Sequence, residues 1–276
     1  MENIARLPDT RPQPTAAVSL KSLALPSEHG GWGLLLEPAL LGLLLAPSWG
    51  GAGFVIAALA AFLARHPLRL ALSDRWRRTR YPRTPLAERV AGAYLAVAAA
   101  GIALAAWRAP LMAFAPLAAA APLGLLQLAY DARLRGRQLV PELAGGVALG
   151  ATAAAVVIAG GWSASAAFAL WLLLGARTVG AVTYVRARLR ASRGLVPGRT
   201  SAGLCHVAAL LLVAALAARG LTPWLALPAF AALLVRALHG LRDGASALPP
   251  RAVGFQEMGY GVLTLLLLVA GYGLRL

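Results

Sequence analysis

Cysteine occurs once in these 276 residues, so no disulfide can form within the chain, and Cys205 in its apolar stretch reads as a small packing residue. Acids are scarce too, with ten Asp and Glu against 26 Lys and Arg. Charged residues of both signs make up only 13% of the chain. A soluble domain carries about 25%, so this composition excludes an ordinary water-soluble globule. The opening 25 residues, MENIARLPDTRPQPTAAVSLKSLAL, lack the apolar core of a secretory signal peptide. His66, His206 and His239 have no Cys or carboxylate at metal-ligand spacing, so no metal site is expected. The residues themselves leave the cofactor unknown.

What the chain does have is apolar sequence, 59% by residue. Runs of about 20 residues, enough to cross a bilayer, recur near 30–47, 50–72, 86–107, 109–130, 140–160, 163–186, 201–218, 221–239 and 252–274. Proline and glycine punctuate the joints, as at Pro47, Pro85, Pro110, Pro141, Gly160, Pro223 and Pro249. The expected fold is all-α, a polytopic transmembrane helical bundle of about nine spans. Residues 1–25 are expected to form a disordered cytosolic tail and 26–276 a single transmembrane domain.

The net charge of +16 invites a nucleic-acid partner, but the placement of the basic residues argues against one. Nearly all of them fall in the tail or in the loops after the second, fourth, sixth and eighth runs. Only Arg108, Arg219 and Arg275 remain for the other side. Lys and Arg accumulate on the cytoplasmic side of membrane proteins. The N-terminus is therefore expected inside and the C-terminus outside, which requires an odd number of spans.

Three ionisable residues within the runs stand out as candidates: Glu37, Arg177 and Glu257. Such a side chain at the bilayer centre costs at least about 2.5–3.5 kcal/mol, so it is retained where it meets a cavity or a partner. By helical spacing, His29, Gly33 and Glu37 share a stripe, as do Arg177, Tyr184 and Arg188, and Gln127, Tyr130 and Asp131. Each stripe reaches the arginine-rich side, which predicts one cytosol-facing polar cavity. Plainer readings stand beside this one: a structural ion pair between Glu37 and Arg177, interfacial Tyr130 and Tyr184, and loop arginines that act as topology signals and headgroup contacts. The segment ARLRGRQLVP (132–141) recurs as ARLRASRGLVP (187–197), as a repeat or by chance.

The stretch PSEHGGWGLLLEPALLG (26–42) carries a Pro-x-Glu-His-Gly-x-Trp signature and resembles the YwiC-like family of bacterial membrane proteins. The nine-run layout, with basic loops after runs 2, 4 and 6, resembles more distantly the UbiA-type prenyltransferase superfamily. That resemblance implies a transferase that binds an isoprenoid diphosphate through Mg²⁺ on paired aspartates and acts on an aromatic acceptor in the bilayer. The segment SDRWRRTRYPRTP (73–85) offers Asp74 alone, and YVRARLRASRGLVPGRTSAG (184–203) has no acid. Arginines at those places are expected to grip an anion directly, because guanidinium matches phosphate in bidentate fashion.

The candidate anion-binding residues are Arg78, Arg80, Tyr130, Arg133, Arg135, Arg177, Tyr184 and Arg188. Glu37, His29 and Glu257 are the candidates to handle a proton in catalysis. The expected partners are membrane lipids, including an isoprenoid or quinone-type lipid, and the expected location is the bacterial cell membrane. Against the transferase stands a non-enzymatic lipid or anion carrier, or an assembly factor for a respiratory complex.

Overall fold

In the computed structural model, residues 20–25, 29–196, 198–242 and 248–274 are described. The elements are all helical: α1 (Leu20–Ala24), α2 (His29–Leu45), α3 (Trp49–Trp76), α4 (Thr84–Arg108), α5 (Ala115–Ala132) behind a 3₁₀ turn at Leu111–Phe114, α6 (Leu139–Ala159), α7 (Ala164–Ala191), α8 (Arg199–Ala218), α9 (Ala226–Gly240) and α10 (Pro250–Leu274). No strand occurs among the described residues. Local chemistry sets several boundaries. Ser48 and Ser163 cap α3 and α7, their hydroxyls accepting from the amides of Gly51 (3.0 Å) and Ala166 (3.3 Å). Pro85 sits in the first turn of α4, where its missing N–H costs nothing.

Each expected span has a helix. Among the described residues, seven helices, with the 3₁₀ turn and α5 counted as one unit, are long and apolar enough to cross a membrane, so the chain is a multi-pass helical membrane protein. The first and eighth spans are shorter than expected, at Gly31–Leu45 and Ala226–Gly240. At 1.5 Å per residue, 15 residues cover only about 22 Å, against a hydrocarbon core of about 30 Å. The eighth is short because Pro223 holds a turn where the apolar run predicted helix. Within the segment expected to be a tail, Leu20–Ala24 is helical. Leu23 is buried and the Ala24 carbonyl accepts from the Tyr94 hydroxyl at 3.0 Å; residues 1–19 lie outside the described residues.

Specific contacts gather the helix ends. At one end Arg65 of α3 pairs with Asp131 of α5 at 2.6 Å. There too, Arg186 of α7 reaches Glu142 of α6 at 2.7 Å, and Arg188 of α7 donates to the Gly240 carbonyl of α9 at 2.6 Å. At the other end, helices close on glycine. A Cβ on Gly160 would lie 2.5 Å from that of Ala46, and one on Gly50 would lie 2.8 Å from that of Ala109. The arginine loops therefore share one face of the bundle.

The core centres on α6, whose residues from Gly150 to Ile158 are all buried, against Leu41, Phe54, Leu170, Leu173 and Leu174. Small residues let α6 pack closely. Gly42 of α2 meets Val156, and Gly150 faces Trp171, whose indole N–H donates to the Val147 carbonyl at 2.7 Å. The α3–α4 hairpin is tighter still. Gly53 and Gly101 lie against each other's helix, so that a Cβ on either would sit 2.7 Å from the other's carbonyl oxygen.

Candidate functional site

Pro38 follows Glu37 in α2. It removes one backbone N–H from the helix ladder. The Glu37 carboxylate crosses to α7 and meets Arg177, with Oε1 2.6 Å from Nε. The side chains are 11% and 7% exposed, so this is a buried pair. A void of about 10 Å³ beside it, lined by Leu34, Pro38, Gly150, Leu174 and Thr178, has room for no more than about one water. On the third side stands Gly261 of α10, where a Cβ would come within 3.0 Å of Arg177 Nη2 and 3.2 Å of Glu37 Oε2. Glycine is what admits the pair.

One turn before Gly261 on α10 is Glu257, which pairs with Arg236 of α9. The Arg236 side chain is 1% exposed and its surroundings are specific. Its guanidinium lies over the rings of Tyr184 (4.1 Å) and Tyr260 (5.2 Å), a favourable cation–π arrangement. Its Nη2 lies 3.0 Å from Nε2 of His206 on α8. Arginine can only donate, so that imidazole nitrogen accepts. The His206 Nδ1 is then the protonated one and donates to the Ala202 carbonyl at 2.8 Å. Two buried ion pairs thus lie along one stripe of α10, from four helices (α2, α7, α9 and α10), with His206 of α8 beside them.

Arg236 also forms the floor of a cavity of about 220 Å³, lined by Tyr184, Arg188, His239, Gly240, Arg242, Gln256 and Tyr260. It lies among the arginine-rich ends of α7 and α9 and the start of α10. Its volume falls below the roughly 300–1,000 Å³ of drug-sized ligand pockets and suits an oxyanion or a lipid headgroup. Among the described residues, three arginines line it (Arg188, Arg236 and Arg242), and Glu257 is the acid that lies beside them.

Of the sequence candidates, Glu37, Glu257, Arg177, Tyr184 and Arg188 come together in this region. The others do not. Arg78 and Arg80 are exposed in the α3–α4 loop, with Arg80 3.5 Å from Glu88. Arg133, which lies 5.5 Å over the Trp76 ring, and Arg135 are exposed after α5, where Tyr130 is half-buried. The side chain of His29 lies outside the described residues.

Asp74 is buried and committed, accepting from the Thr84 hydroxyl at 2.7 Å and from Arg83 at 3.3 Å. Arg236, His206, Gln256, Tyr260 and Arg242 were missed. Arg236 had the signal that marked Arg177, a charge inside an apolar run (AALLVRALHG), but its nearness to His239 and Arg242 made it look like a loop residue.

Residues 25–157 match the YwiC-like protein family. The matched segment runs from α2 through nearly all of α6 and includes Glu37, while Arg177, Arg236 and Glu257 lie beyond it. No curated protein and no solved structure matches the chain.

Proposed function

We propose that this membrane protein binds a small oxyanion, free or as a lipid headgroup, in the cavity between α7, α9 and α10, with the arginine-rich face toward the cytoplasm of a bacterial cell. The observation that carries this reading is the cavity itself, with Arg236 at its floor and Arg242 at its rim. Guanidinium groups hold phosphate-type oxyanions through paired hydrogen bonds, and ionisable residues at membrane depth mark ligand or ion paths.

The binding reading is favoured over a UbiA-like transferase by what the acids are doing. Asp74 is held by Thr84 and Arg83, and Glu37 and Glu257 are each held by an arginine. A carrier or an assembly factor needs no acid free for chemistry. The test is ligand extraction from detergent-purified protein, followed by mass spectrometry, beside thermal shift with sulfate and with short-chain phosphatidic acid. Stabilisation by either, reduced in Arg242→Gln and unchanged in Arg108→Ala, is the expected result. A copurified isoprenoid diphosphate would move the assignment to the transferase, and no stabilisation by either probe would remove the anion site.

A further inference from the structure

The belt of buried charge below the cavity is balanced: Arg177 and Arg236 against Glu37 and Glu257. A ligand anion disturbs that balance at one place. Arg236 is the member that lines the cavity, while Glu257 sits on its far side. Among the described residues, the buried Nε of Arg236 and Oε2 of Glu257 have no hydrogen-bond partner, so each has unused capacity.

We propose that the site binds an anion and a proton together: the anion takes the Arg236 guanidinium from Glu257, and the Glu257 carboxylate accepts a proton from the aqueous face. This inference rests on the anion-binding reading above and extends it to coupling. In the step, a lone pair of the carboxylate forms an O–H bond with a proton supplied by water or buffer. The proton offsets one unit of the anion's negative charge, and nothing is oxidised or reduced.

The physical reason is a count of charges. With the anion present, two negative groups compete for one guanidinium in a low-dielectric setting. A buried carboxylate without its cation is neutralised by protonation rather than left charged. Besides His239, which lines the cavity from α9 with its Nδ1 3.0 Å from the Val235 carbonyl and is the acceptor that Glu257→Gln leaves in place, the groups facing Glu257 leave little choice. From α7 come Tyr184 and Arg177, the latter within electrostatic reach; from α2, Glu37 is already matched to Arg177. From α8 comes His206, whose Nδ1 is engaged with Ala202 and whose Nε2 accepts from Arg236, so a second proton there would set two cations 3.0 Å apart. On α10 itself, Gln256 and Tyr260 carry no charge to absorb.

Sulfate is the suitable probe, because it remains a dianion across the useful pH range. Isothermal titration of the purified full-length protein in two buffers of different ionisation enthalpy reads the protons taken up per sulfate bound. Wild type is expected to take up one, and its sulfate affinity to fall about tenfold for each pH unit between pH 6 and 8. Glu257→Gln is expected to bind sulfate with no proton uptake and no such slope. Arg242→Gln is expected to bind more weakly with one proton still taken up, which keeps the test decisive if Glu257→Gln does not fold. Sulfate bound by wild type without proton uptake, or uptake that persists in Glu257→Gln, overturns the coupling and leaves the anion site standing. No sulfate binding at all overturns both.

Discussion

At the scale of single residues, the ion pair between Glu37 and Arg177 shows what an apolar run can and cannot reveal. Each residue was legible, because an ionisable group in hydrocarbon needs a partner, and their similar depth along α2 and α7 made each the other's natural choice. Removing one partner strands the other. Arg177→Ala is expected to cost about 3–5 kcal/mol in a detergent unfolding assay. The double change of Arg177→Met with Glu37→Leu should recover most of that loss, because the uncompensated charge is gone. Arg108→Ala, which loses only an exposed stack 3.9 Å over Trp107, should shift stability by less than about 0.5 kcal/mol. Gly261 was not legible as a site residue: nothing in VGFQEMGYGVLT says that one of its glycines faces a guanidinium. Its Gly261→Ala variant is expected to lose about 1–3 kcal/mol through overpacking against Arg177 and Glu37, measured in the same assay.

At the scale of elements, run length and proline placement located every long helix, because hydrophobic length is a local property of sequence. What escaped depends on neighbours. Helix α1 is too short to show a period, and it is held by burial of Leu23 and by the Tyr94 hydroxyl. The predicted start of the eighth span gave way to the turn at Pro223, which packs beside Gly271 of α10. The α3–α4 hairpin depends on backbone contact rather than on side-chain fit. Gly101→Val places a branched side chain where the Gly53 carbonyl already stands, 2.7 Å from the new Cβ. The expected outcome is a drop of several degrees in the melting temperature followed by fluorescence-detected size exclusion. Unchanged melting would mean that the two helices are not held at this contact.

At the scale of the whole molecule, helices gather their arginine-bearing ends on one face, and the proposed orientation has that face in the cytoplasm. Reporter fusions after Ser48 and Gly161 are therefore expected to read as external and one after Gly136 as cytoplasmic; the reverse pattern would turn the molecule over. The sequence showed the asymmetry of charge but not which arginines would meet, since Arg65, Arg186 and Arg188 reach partners far along the chain. The same distance bears on how the protein is made. Glu37 leaves the ribosome about 140 residues before Arg177, which at about 5–20 residues per second is roughly 7–28 s of synthesis. During that interval a short apolar helix with an unmatched carboxylate must wait, lodged at the translocation machinery or at the membrane surface. A nascent chain stalled after Ala159 should leave a cysteine placed at Leu40 open to aqueous maleimide, and one stalled beyond Ala191 should protect it, so that insertion of α2 is completed by a helix made much later.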